Sequence, residues 1–217
     1  MMNVVAADLE GTITAGVAWQ ALRDFLLAQG READFARYRR RQMAAYAWVK
    51  VGFGAEQAFK ERWILGLLGL FAGFSEAEFS EAAEWVVERE LWPKRRPAVV
   101  AELADHAANG RSVVIVSGMF QPILDVFAAR MGVAALGTPL QVENGRLTGG
   151  VSIPFNVGER KVAALRARFG DGLLAAAYGD TLPDAPMLAI SQVPVVVCPA
   201  PDLRKLAEAN GWRVLEG

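Results

Sequence analysis

"VVAADLEGTIT", residues 4–14, decides how this chain is built. Four small apolar residues run into Asp8, and a second acid, Glu10, follows before a glycine and a threonine. The apolar run, partly β-branched and closed by a turn, reads as a short buried strand over residues 3–8. Stability alone gives no reason to end such a strand in two carboxylates. Like charges there repel, and they need a cation or a shared proton to sit together.

Beyond this strand the character changes. From 16 to 92, Trp, Phe, Leu and Ala recur at helical spacing among many Arg and Glu, and no strand is evident. Four helices are expected near 17–29, 32–50, 55–71 and 75–92, broken at Gly30, Gly52–Gly54 and Gly73, with Ser75 as an N-cap and Glu78 completing a capping box. "WPKRRP" (92–97) is a break that sets Pro97 at the start of a new helix.

From there strands and helices alternate. Helix 97–109 precedes strand 112–117, helix 121–131 and strand 134–137. A hairpin over 140–151 turns at Asn144-Gly145. Helix 158–169, strand 173–180, helix 183–190, strand 194–197 and helix 202–210 follow, before a closing "WRVL". Alternation with near-continuous apolar strands argues a parallel sheet covered on both faces. The expected fold class is α/β: a Rossmann-like three-layer α/β/α core from residues 1–14 and 93–217. A helical segment, 15–92, is inserted after the first strand.

Composition narrows the function. The 217 residues are 53% hydrophobic, with mean hydropathy +0.22, net charge −1 and pI about 6.0. That describes a globular protein with a generous core, and its slight acidity argues against a nucleic-acid binder. One cysteine, Cys198, excludes an intramolecular disulfide, and one histidine, His106, excludes a multi-histidine metal site. His106 lies in an ordinary helix, so a Ser-His-Asp triad is not expected. No signal peptide is evident, and the most apolar stretch, "ILGLLGLFAGF" (64–74), is too short to span a bilayer. It reads as a buried helix and its exit. A cytoplasmic location is expected, with no stable membrane insertion; the oligomeric state is not legible.

Three predicted strands end in polar residues: Asp8, Ser117-Gly118, and Gly179-Asp180. Ligands of open parallel sheets bind beyond the carboxyl ends of the strands, so all three endings should share one crevice. Asp8 and Asp180, with Asp184 four residues on in "GDTLPD", offer hard oxygen ligands that suit Mg²⁺ alongside a phosphate. Ser117 supplies a hydroxyl, and Gly118 lets backbone N–H groups approach an anion closely. Lys161, at the start of a helix, can neutralise phosphoryl oxygens. These parts fit phosphoryl transfer. Asp8 would attack and become an aspartyl phosphate. Glu10 would protonate the leaving oxygen and then activate water.

"DLEGT" (8–12), Ser117-Gly118, Lys161 and "GDTLPD" (179–184) resemble, in order, the four motifs of the haloacid dehalogenase superfamily of phosphohydrolases. "VIVSGMF" and the insert after the first motif most resemble its phosphoserine-phosphatase-like branch. The resemblance implies Asp8 as nucleophile, Glu10 as general acid/base, Ser117 and Lys161 as phosphate binders, and Asp180 supported by Asp184 as metal ligand. The backbone carbonyl of Glu10 would complete the Mg²⁺ site. Segment 15–92 would be the cap that closes over the site and selects a small phosphomonoester.

Two departures bear on function. The family's usual second acid is Asp, and here it is Glu10, one methylene longer. Placement errors near 1 Å can cost about 10²-fold in rate, so a slower or more selective enzyme is expected. Phosphoserine phosphatases carry an acid early in the cap to hold the substrate amine. The matching "ITAGVAWQAL" has Val17 and Trp19 instead, which disfavours phosphoserine. Trp19 is either core or an apolar face toward a partner. Arg37, Arg39, Arg40 and Arg41 form a solvated face, an anion funnel or a membrane-facing patch. Asn156 either caps the helix after it or contacts substrate, and Thr181 is either a cap or a neighbour of the phosphate. A phosphotransferase using the same aspartyl phosphate, or a phosphate-ligand-binding protein impaired in turnover, are the alternatives to a phosphatase.

Overall fold

The computed structural model describes residues 2–50 and 56–216. In chain order the strands are β1 (Val4–Ala7), β2 (Ser112–Phe120), β3 (Ala134–Thr138), β4 (Leu140–Glu143), β5 (Arg146–Val151), β6 (Ala176–Gly179), β7 (Pro194–Val197) and β8 (Arg213–Leu215). The α-helices are α1 (Ala18–Ala28), α2 (Glu32–Lys50), α3 (Glu56–Leu68), α4 (Glu76–Val86), α5 (Pro97–Ala108), α6 (Gln121–Met131), α7 (Glu159–Phe169), α8 (Ala185–Ala189) and α9 (Pro201–Asn210).

Six strands form one parallel sheet in the order β3-β2-β1-β6-β7-β8. Side chains alternate across it. Val5, Ala7, Val113, Ile115 and Tyr178 pack on the face covered by α5 and α6. Val4, Ala6, Val114, Val116 and Ala177 pack against α7, α8 and α9 on the other. Both faces being covered is why these strands read as unbroken apolar runs. The result is the expected three-layer α/β/α core. The chain leaves β1 toward β2 on one side and returns with β6 on the other, so the strand order reverses at β1/β6, where such sheets bind ligands.

Helices α1 to α4 lie between β1 and α5. Their buried residues, Phe25, Phe71, Phe79 and Val86 among them, join the same hydrophobic cluster as Val5 and Ile115 of the sheet. The capping box at Ser75 is present: its Oγ accepts from Glu78 N–H (3.2 Å), and Glu78 Oε2 accepts from Ser75 N–H (2.7 Å). The chain's entry and exit through this segment run side by side. Ala15 N–H donates to Lys94 O (3.0 Å), Arg96 N–H to Ile13 O (2.7 Å), and Thr14 Oγ1–H to Leu91 O (2.6 Å). Among the described residues, no helix is long and apolar enough to cross a membrane.

Several boundaries differ from expectation. The helix expected over 55–71 stops at Leu68 and tightens into a 3₁₀ turn, Gly69–Phe71; Leu67, Leu68 and Phe71 are fully buried. The break expected at Gly52–Gly54 lies outside the described residues. The helix expected to 92 gives way to a π-helical turn, Val87–Leu91. β2 does not end at 117 but continues to Phe120 with a register shift after Val116, because Thr138 on β3 extends the contact through its Oγ1–H bond to Gly118 O (2.9 Å). β6 starts at Ala176 rather than 173. The helix expected from 183 begins as a 3₁₀ turn, Leu182–Asp184, and becomes α8 only at Ala185. The hairpin turn is as expected, with Asn144 and Gly145 both at positive φ (50° and 73°), the two-residue geometry that Asn-Gly favours.

Candidate active site

The loop after β1, the irregular stretch of β2, the start of α7 and the turn after β6 meet at one end of the sheet, around a cavity of about 510 Å³. Asp8, Glu10, Ser117, Gly118, Lys161 and Asp184 line it. All six come from the sequence-predicted set. Lys161 is the third residue of α7 and only 2% exposed. Its Nζ donates to Asp8 Oδ1 (2.5 Å) and to Asp184 Oδ1 (2.6 Å). Burying an ammonium this deeply is tolerable only with such partners. Burial works against its charge, but Asp8 and Asp184 together hold its pKa above the ordinary lysine value.

The acids outnumber that cation. Asp8, Asp180 and Asp184 each offer a carboxylate oxygen, and these oxygens lie within 4.8 Å of one another. Burial pushes Asp8 up to about 6, Asp184 adds to the rise, and Lys161 opposes it. Burial, with the charges of Asp8 and Asp184, pushes Asp180 up to about 8. A cluster of carboxylate oxygens, on two buried residues and one half-buried, whose charges one lysine does not balance fits a divalent cation: the donor set is hard and the missing charge is positive. The side chain of Glu10 stands apart from this trio. Its Oε1 accepts from Ala18 N–H at the start of α1 (2.7 Å), and burial, aided by Asp8 and Glu90, raises it to about 7.

Glycines set the spacing. A Cβ on Gly11 would fall 2.0 Å from Asp180 Oδ2, and Gly11 has φ +87°, so the loop passes Asp180 closely only as glycine. A Cβ on Gly179 would fall 2.5 Å from Asp184 Cβ. Ser117 is buried, and its Oγ accepts a long hydrogen bond from Met119 N–H (3.3 Å).

Some contributors escaped sequence reasoning. Thr12, fully buried, donates from Oγ1 to Asp180 Oδ1 (3.3 Å). Asp184 Oδ2 accepts from the N–H groups of Asp180 and Thr181 and from Thr181 Oγ1 (each 3.2 Å), closing a capping box that fixes the carboxylate. Thr181 is therefore a cap that also lines the cavity. The signal for Thr12 was present in "DLEGT", but its partner lies 168 residues away. Asn156 does not cap α7, whose N-cap is Gly158; its Nδ2 donates to Leu136 O (2.9 Å) and pins the preceding loop to β3. His106, on α5, hydrogen-bonds Tyr178 Oη (3.0 Å), away from the cavity lining. Arg37, Arg39, Arg40 and Arg41 are exposed. Arg37 and Arg41 line a separate groove that shares no residue with the carboxylate cavity.

The sequence matches the haloacid dehalogenase-like hydrolases over residues 5–189. It is 32% identical over 220 residues to a probable phosphatase of Mycobacterium tuberculosis, covering 96% of this chain and 73% of that protein. It is 40% identical over 125 residues to the protein CicA of Caulobacter vibrioides, covering 56% of this chain and 49% of that one. Among solved structures, a protein of unknown function from Bordetella pertussis Tohama I superposes with a TM-score of 0.82 at 26% identity, covering 99% of each chain. A substrate-bound phosphoserine phosphatase shares the fold, with a TM-score of 0.62 at 17% identity over 100% of this chain and 94% of that one. The chain belongs to the haloacid dehalogenase-like hydrolase family, and its fold is that of the phosphoserine-phosphatase-like members.

Proposed function

We propose that this hydrolase is a Mg²⁺-dependent phosphomonoesterase that works through an aspartyl phosphate on Asp8. The observation that carries the reading is the buried Lys161 ammonium bridging Asp8 and Asp184 beside Asp180, at the point where the sheet reverses its strand order. The 32% identical relative described as a probable phosphatase supports the same reading.

Lys161, the Ser117 hydroxyl and the backbone at Gly118 hold the phosphoryl oxygens beside Asp8. A carboxylate oxygen of Asp8 attacks phosphorus in line as the ester P–O bond breaks. Glu10, whose raised pKa keeps it substantially protonated near neutrality, gives its proton to the departing alcohol oxygen. The resulting Glu10 carboxylate then takes a proton from water, which attacks the phosphorus and releases inorganic phosphate with Asp8 restored. Asp8, Asp180, Asp184 and the backbone carbonyl of Glu10 would hold Mg²⁺, which supplies positive charge against the phosphoryl oxygens. Ala18 N–H, the bond that positions Glu10, belongs to the helical segment 15–92, which we read as the cap.

Phosphate release from a panel of phosphomonoesters, with Mg²⁺ and with EDTA, tests this for wild type and Asp8→Asn. Metal-dependent release that Asp8→Asn abolishes is the expected result. Release that survives Asp8→Asn in pure protein removes Asp8 as nucleophile.

A further inference from the structure

Behind Glu10 a second space adjoins the carboxylate cavity, and a third adjoins the second. The neck, about 90 Å³, shares Glu10, Gly118 and Met119 with the catalytic cavity. Ala18, Leu22, Ile64 and Phe120 make the rest of its wall, with Trp19. Trp19 and Ile64 also line a cleft of about 470 Å³, with Met43, Tyr46, Phe59 and Trp63. The aromatic wall is ordered by ring contacts: Trp19 meets Trp63 edge-on at 5.9 Å, and Phe59 lies 6.1 Å from Trp63. Past Glu10, no charged side chain among the described residues lines the neck or the cleft.

The neck meets the catalytic cavity at the residue that would protonate the leaving oxygen, so it lies on the leaving alcohol's side of the site. Among the described residues its walls offer no charge to an amine or a carboxylate, and burying either there without a partner is costly. An apolar chain gains from the same walls. We propose, resting on the phosphatase reading above, that the substrate is a phosphomonoester of an alcohol with an apolar chain, whose tail lies along Ile64 toward the Trp19–Trp63 cleft. The walls shared in sequence, Glu10 between the catalytic cavity and the neck and Trp19 with Ile64 between the neck and the cleft, are what assign the cleft to the substrate rather than to a protein partner.

The test is kcat/KM for ethyl, butyl, hexyl and octyl phosphate and for phosphoserine, in wild type and Ile64→Asp. A rise of about three- to fourfold per buried methylene is expected, with phosphoserine near the foot of the series. In Ile64→Asp the octyl-to-ethyl ratio should fall by about tenfold or more, because the chain must pass a carboxylate. That ratio is taken within one preparation, so a partly folded variant does not distort it. A flat series with measurable turnover overturns the proposal and leaves the phosphatase standing.

If no ester is turned over, the phosphatase reading fails, and tryptophan fluorescence titrations decide the cleft. Octyl phosphate binding more tightly than ethyl phosphate, in a way Ile64→Asp removes, supports it; equal binding overturns it. Hexadecyl phosphate held in phosphatidylcholine vesicles separates a membrane-borne ester from a dissolved one. Preference for the long chain in either form supports the proposal. A concentration-dependent dimer that Ile64→Asp dissociates, together with a flat series, would assign the cleft to a second copy and overturn it.

Discussion

At Glu10 a single methylene is accommodated by a single hydrogen bond. Oε1 of the longer side chain accepts from Ala18 N–H, and this bond orients the carboxyl group that carries the proton. Glu10→Gln keeps an amide oxygen able to accept from Ala18 but has no proton to trade. It should therefore fold like wild type while kcat falls by about 10²- to 10⁴-fold. Steady-state kinetics beside a thermal melt will check this, and a kcat within tenfold of wild type at unchanged Tm would remove Glu10 as the acid/base. The residues that carry charge, Asp8, Glu10, Lys161, Asp180 and Asp184, were legible because each sits in a short motif at a predicted strand end or helix start. Thr12, Gly11 and Gly179 matter through what lies against them. Those contacts are made by folding, as when Thr12 meets Asp180. The unresolved reading of Asn156 had the same cause: its partner, the Leu136 carbonyl, is on another strand.

Among elements, the apolar strands and the Asn144-Gly145 hairpin were readable because period and turn chemistry are local. The π-helical turn at Val87–Leu91 was not, since "VEREL" holds no proline or glycine to mark it. Its setting explains where it falls. Here the two connections of the helical segment run against each other, Thr14 Oγ1 bonding Leu91 O and Val17 N–H bonding Glu90 Oε1 (2.9 Å). Gly16 lies in this seam, and a Cβ there would be 2.6 Å from Glu90 O and 3.0 Å from Leu91 Cα, both backbone atoms that cannot swing aside. Gly16→Ala should cost about 1–3 kcal/mol, as overpacking does. Urea unfolding should show a lower midpoint at unchanged slope. A midpoint equal to wild type would mean that the two connections separate readily.

For the whole molecule, one hydrophobic cluster runs from the sheet through the helical segment, so the two should unfold together. The protein's stability then reports on its buried charges. In the absence of metal, Asp8, Glu10 and Asp180 have folded-state pKa values of about 6, 7 and 8, above their ordinary 3.8, 4.5 and 3.8. The folded chain therefore holds more protons than the unfolded one across that interval, and stability must fall as pH rises through it. His106 and Glu102 are both lowered and pull the opposite way. The site's share is isolated by comparing wild type with Asp180→Asn. In EDTA, wild-type Tm should drop more steeply than that of Asp180→Asn between about pH 5 and pH 8. Mg²⁺ competes with those protons, so the Tm it adds to wild type should grow with pH and be small for Asp180→Asn. Parallel wild-type and Asp180→Asn curves in EDTA would mean that Asp180 is not held protonated by its buried neighbours. A Mg²⁺ effect of equal size at both ends of the range would place the ion away from these carboxylates.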